Sequence, residues 1–179
     1  MTFRSFRHAY VFAMLAVPLG MVMFATIAAS REGQAASGSG ARDAISLPPD
    51  YRNWTLISVA HEEGNLNDIR AILGNDAAVK AYREGKLPFP DGAIIARVAW
   101  AYTPSEENDK AFGKQQSFVA GAPTNVQLMV KDSKRYAVTG GWGYAQFTHG
   151  KADPVVAEKC YECHEPVKAR DFLFTRYAP

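Results

Sequence analysis

Two thiols and an imidazole stand together near the end of this chain, in the string Cys160-Tyr161-Glu162-Cys163-His164. Cysteines three apart, followed at once by histidine, form the attachment pattern of a c-type haem. The chemistry needs that spacing. Each thiol adds across one vinyl group of the same porphyrin. On a helix, positions i, i+3 and i+4 share a face, so the imidazole lies beneath the macrocycle and can ligate its iron. Cys160 and Cys163 are the only cysteines in the chain. Other uses of the string fit less well. A structural zinc site takes about four Cys or His ligands, and beyond the N-terminal segment only His61 and His149 could complete one, neither at a finger-like spacing. A thioredoxin-type dithiol follows a strand of a βαβ unit, usually without an immediate histidine. A plain disulfide leaves His164 without a role. The expectation is one covalently attached haem c, with Cys160 and Cys163 as its anchors and His164 as iron ligand. The second ring nitrogen of His164 should donate to a backbone carbonyl or a carboxylate, which sets the basicity of the ligand.

The N-terminus speaks to compartment. Arg4, Arg7 and His8 precede an almost wholly apolar run of 21 residues, Ala9 to Ala29, interrupted by Pro18 and Gly20 and followed by small residues around Ala28-Ala29-Ser30 and Ala35-Ala36-Ser37. This is the layout of an export signal. Left uncleaved, the run is long enough to anchor the chain in the inner membrane; its breakers and small-residue end favour cleavage. The division expected is therefore a signal segment over residues 1–36, a flexible linker over 37–50 that begins Ser37-Gly38-Ser39-Gly40 and ends at Pro48-Pro49, and a haem domain over 51–179. The folded part should face the periplasm, where c-type haem is attached. Of 20 basic and 18 acidic residues, the first 36 positions hold three and one, which leaves 17 of each. A neutral body gives no reason to expect nucleic acid as a partner.

Most segments before the motif read as strands: Trp54 to His61, Asp68 to Leu73, Ile94 to Tyr102, Asn125 to Lys131 and Trp142 to Phe147. Asp76 to Glu84 reads as a helix, with Asn75 or Asp76 as cap and Gly85 beyond its end. A second helix should begin after Asp153 with Pro154 in its first position and carry the motif. Thr103 to Pro123 reads as a polar connection of 21 residues. In small all-helical electron carriers the attachment string lies near the N-terminus and a methionine ligand follows; here 15 residues follow His164 and none is Met. A four-helix bundle would show a 3.6-residue period ahead of the motif. The better reading is α+β: a mainly antiparallel sheet with a few helices and the haem motif on the C-terminal one.

Tyr51-Arg52-Asn53-Trp54, Asp68-Ile69-Arg70, Phe89-Pro90-Asp91-Gly92, Val130-Lys131-Asp132-Ser133 and the terminal Cys-Tyr-Glu-Cys-His string, in this order and spacing, resemble the cytochrome P-460 family, which includes the cytochrome c′-beta proteins. The likeness runs from Tyr51 to Tyr177. It implies an antiparallel sheet, a haem with an open distal face and a homodimer. Members of the family oxidise hydroxylamine, or bind nitric oxide or carbon monoxide. In the hydroxylamine oxidisers a lysine on the strand after the Asp-Gly turn bonds covalently to the haem edge, and that position is Arg97 here. A guanidinium stays protonated and is a poor nucleophile. An acidic residue near the distal pocket aligns with Gln127, and a family arginine near the haem aligns with Arg70. Arg97 and Gln127 are thus the candidate distal residues, and Arg70 a candidate haem contact.

The residues allow plainer readings too. Arg97 shares a strand face with Ile95, Ala99 and Ala101, where it would either be buried against an anion or sit on a solvent face. Arg70 could form an ordinary pair with Asp68, two positions away. Met129, the one methionine after the signal segment, and His149 and His61 are the potential sixth ligands of an electron carrier; core packing for the first and exposure for His149 are the simpler fates. Trp54, Trp100 and Trp142 read as core. Three functions follow from what occupies the sixth iron position: a small nitrogen-oxide or diatomic ligand, a nitrogen substrate such as hydroxylamine, or a protein side chain in a carrier that serves a periplasmic electron partner.

Overall fold

Period-two alternation, read strand by strand, sends apolar side chains to both faces of one sheet. The computed structural model of the protein describes residues 44–178; the expected signal segment and residues 37–43 lie outside the described residues. The strands are β1 (Thr55–Glu62), β2 (Asp68–Gly74), β3 (Ile94–Pro104), β4 (Phe118–Lys131), β5 (Trp142–Thr148) and the short β6 (Lys151–Ala152). They pair antiparallel in sequence order, β1 through β6. The α+β reading stands.

One face carries Ile57, Ile72, Ile95, Met129 and Trp142, and helix α1 (Asp76–Glu84) covers it with Ala78, Val79 and Ala81. Phe89 and Leu173 complete that cluster. The other face buries Ala96, Val98, Leu128, Ala145 and Phe147 against Tyr51, with Ile45, Leu47 and Trp54 packed alongside. Asn75, rather than Asp76, caps α1: its Oδ1 accepts from Ala78 N at 3.0 Å and also from Ile94 N at 3.0 Å, while its Nδ2 donates to Gly92 O at 2.8 Å. One side chain thus satisfies a helix end and ties it to the start of β3. Gly85, at φ 61°, closes the helix in the left-handed region.

The polar connection expected from Thr103 to Pro123 is instead mostly ladder. β3 and β4 continue through it as a two-stranded ribbon, paired as far as Pro104 with Phe118. Helix α2 (Glu106–Phe112) sits at the tip, with Ser105 capping it and Gly113 ending it. Asp109 Oδ1 accepts from Gln116 N and Ser117 N, both at 2.8 Å, and so leads the chain into β4. Both faces of the ribbon's outer end meet solvent, which removes the apolar alternation on which strand recognition depends. Among the described residues, no helix is long and apolar enough to cross a membrane.

Candidate functional site

Helix α3 (Pro154–His164) carries the two cysteines and packs against β5. Pro154 opens it, as expected. Cys160 is half-buried and Cys163 exposed. Burial, with a smaller contribution from Cys163, pushes the Cys160 thiol above its ordinary pKa. His164 is the last α-helical residue. A 3₁₀ segment from Glu165 to Arg170 follows, with Pro166 unable to continue the helical bonding. The chain then reverses through Asp171 and Phe172, at φ 53° and 66°. That reversal brings Phe172 O to 2.7 Å from His164 Nδ1. A carbonyl oxygen only accepts, so Nδ1 carries the proton and Nε2 keeps its lone pair, the tautomer a metal ligand needs. Burial lowers the His164 pKa, and the carbonyl bond partly opposes that shift. The ring lies 5.1 Å from Tyr144 and 5.1 Å, edge on, from Phe174.

Register places the other candidates on the same sheet face. Arg97 lies opposite Ile72 on one side and Gln127 on the other, and Gln127 opposite Gln146. Tyr144, two positions from Gln146 along β5, therefore stands between these residues and His164. The polar side chains form one chain of contacts. Glu62 approaches Arg70 at 3.4 Å. Arg70 Nε donates to Asp68 Oδ1 at 2.7 Å, and the other carboxylate oxygen pairs with Arg97. Arg97 Nη1 donates to Asn125 Oδ1 at 2.7 Å and to Gln127 Oε1 at 3.3 Å. Gln127 Nε2 donates to Gln146 Oε1 at 2.7 Å. The side chains of Arg97, Arg70 and Asp68 are 12%, 11% and 3% exposed, so this is a buried network rather than a solvent face. Burial and the neighbouring Arg70 pull Arg97 below the usual guanidinium value, while Asp68 and Glu62 pull it back.

Cys160, Cys163 and His164 thus come together on α3, and Arg70, Arg97 and Gln127 in the network. Sequence reasoning missed Asn125, Tyr144 and Gln146, although polar residues two apart on an otherwise inward face were a usable signal. It expected a backbone carbonyl or a carboxylate as the partner of His164 without choosing between them or locating it, because a carbonyl leaves no mark in residue type. The other histidines lie apart: His61 is exposed and stacks on Tyr102 at 3.7 Å, and His149 is exposed at a turn with φ 51°. Met129 is 9% exposed within the α1-side core.

The donor set on this face suits haem c. Arg97 Nε, Tyr144 Oη and Trp142 Nε1 are buried without a hydrogen-bond partner, an expensive condition unless a further acceptor shares the space. Burial holds the Tyr144 hydroxyl well above the ordinary phenol range, so it stays a donor. Among the described residues, no group of three or more His, Cys, Asp or Glu is arranged to hold a metal ion by itself.

The sequence matches the cytochrome P460 family over residues 48–175, a span that includes every strand and the Cys-x-x-Cys-His string. No curated protein matches the chain. With its single attachment string, the chain belongs to the cytochrome P460 family and is a mono-haem c-type cytochrome.

Proposed function

We propose that this is an exported, periplasmic cytochrome that binds or transforms small nitrogen species, nitric oxide or hydroxylamine, at a haem left open on the side opposite His164. The observation that carries the reading is the fixed His164 tautomer. With Nδ1 donating to Phe172 O at 2.7 Å, Nε2 keeps its lone pair and is the nitrogen that would hold the haem iron. Cys160 and Cys163 would hold the cofactor through thioethers. When bound, haem c would supply a redox-active iron able to take a small ligand.

The chain's own residues favour binding over turnover. Arg97 stands where hydroxylamine-oxidising relatives have their cross-linking lysine, and a guanidinium cannot readily form that bond. Asp68 and Asn125 hold it in place, so it acts as a fixed donor rather than a mobile one. Gln127 offers a neutral amide, already engaged with Arg97 and Gln146. An amide can orient a ligand but takes no proton at neutral pH, which removes the general base that oxidation of hydroxylamine would use. Arg70 supports Asp68 and, through it, Arg97.

Absorption spectra of the ferric and ferrous protein, with and without nitric oxide, test the proposal. A high-spin ferrous spectrum that changes on adding nitric oxide is expected. A low-spin ferrous spectrum indifferent to the gas would overturn it in favour of an electron carrier. The family resemblance also suggests a homodimer. Phe112, Phe118 and Val119 on the outer ribbon, 60%, 46% and 41% exposed, offer an apolar surface for one, and sedimentation velocity would measure the mass. N-terminal sequencing of the mature protein tests export and cleavage.

A further inference from the structure

Asp171 and Phe172 hold left-handed backbone at φ 53° and 66°. Aspartate tolerates that region; phenylalanine rarely visits it. The strain must be held by surrounding structure, and three contacts from the sheet side hold it. The Asp171 carboxylate, in a residue 8% exposed, takes Lys131 Nζ on Oδ1 at 2.7 Å and Phe89 N on Oδ2 at 2.8 Å. Lys131, 5% exposed, also donates to Gly140 O at 3.2 Å, and its ammonium lies 4.9 Å from the Trp142 ring centre. The Phe172 ring fills space left by a missing side chain: a Cβ on Gly140 would meet its ring atoms at 2.1 and 2.2 Å. Leu173, 4% exposed, then roots the segment in the core. The reversal closes the 3₁₀ segment through Asp171 N to Lys168 O and Phe172 N to Val167 O, while the side-chain contacts that hold its shape come from β4, the loop after it and the segment before β3. The carbonyl delivered to His164 Nδ1 is the outcome of that shape.

We propose that the buried Lys131–Asp171 pair is a positioning device for the proximal imidazole: by fixing the Phe172 carbonyl, it sets the strength of the Nδ1–H···O bond and hence how strongly His164 donates to iron. This rests on His164 being the proximal ligand. A stronger Nδ1 bond gives the imidazole more imidazolate character, which stabilises the oxidised metal. A clamp that merely holds the tail would affect stability alone.

Two readouts separate these roles: the iron–imidazole stretching frequency of the ferrous protein by resonance Raman spectroscopy, and the midpoint potential by spectroelectrochemistry. Asp171→Asn keeps the shape and an acceptor for Phe89 N but loses the charge that orders Lys131. It is expected to lower the stretching frequency and make the potential more positive. Asp171→Glu, which restores the charge, should recover part of both shifts. Should Asp171→Asn fail to fold, Lys131→Gln, which leaves the Asp171 bond to Phe89 N in place, takes the same two measurements with the same expected directions. A folded variant that melts earlier but keeps the parent frequency and potential would overturn the inference. If the parent protein itself lacks an iron–imidazole band, the assignment of His164 fails first and this inference with it.

Discussion

Arg97 of β3 and Asp68 of β2 form an ion pair with side chains 12% and 3% exposed, and Arg70 closes on the same carboxylate from the other side. One buried carboxylate therefore answers two guanidiniums. Removing it strands both charges in a region that water reaches poorly. Asp68→Asn should cost about 3–5 kcal/mol and lower Tm by on the order of 10 °C, read by thermal unfolding in circular dichroism. Glu62→Gln is the control. Its side chain is 52% exposed, so its loss should cost no more than about 1 kcal/mol. Similar melting of the two variants would mean that Asp68 is not the hub of the network.

Covalent attachment is tested by chemistry rather than stability. Protein matured in an export-competent host should keep its colour through acid–acetone extraction. The Cys160→Ser/Cys163→Ser double variant should release all of it, because these are the chain's only cysteines and acid breaks the bond from an imidazole to iron. His164→Gly should retain the colour, lose the native ferrous spectrum and regain it on adding imidazole. Persistent colour in the double variant would contradict thioether attachment.

Two glycines separate backbone strain from crowding. Gly85, at φ 61°, has nothing within 4 Å of an added Cβ, so Gly85→Ala should cost about 1 kcal/mol from conformation alone. Gly140, at φ 68°, would also drive a Cβ into Phe172 at 2.1 Å. Gly140→Ala should therefore cost about 2–4 kcal/mol in urea unfolding. Equal costs would mean that the Phe172 ring moves aside freely.

Tyr82 gives the fold an alkaline limit. Burial holds its phenol well above the ordinary value of 10.0, and its hydroxyl donates to Thr175 O at 3.4 Å. The folded state keeps the proton to higher pH than the unfolded chain does. Stability from this group is thus complete below pH 10 and declines as pH rises beyond it. Tyr82→Phe should flatten that decline when urea midpoints are compared from pH 9 to 11, and an unchanged slope would assign the alkaline loss to other groups.

The inner part of the fold was legible because burial writes itself into the sequence. Ile94 to Tyr102 and Trp142 to Phe147 alternate apolar residues against two packed faces, and both are strands. Helix α1 announced itself through Asn75 and Gly85, whose side-chain chemistry and backbone freedom are local. The outer ribbon was not legible, since Ala120-Gly121-Ala122 carries no burial pattern and is a strand only through its partner across the ladder. At the site, the thiols and imidazole were legible from spacing on a single helix. The partners of Arg97 were not, because Asp68 and Asn125 lie 29 and 28 positions away and meet it only through register. The carbonyl that orients His164 depends on backbone torsions at positions 171 and 172, which residue type specifies poorly.

The final residues of the described chain return to its beginning: Ala178 N bonds Ile57 O on β1 at 2.9 Å, and Arg83 of α1 holds the Tyr177 hydroxyl at 3.0 Å. The first strand of the sheet is thus completed by residues that follow the attachment string. In the unfolded chain the attachment string is present and these closing contacts are not, a state suited to loading a bulky planar group.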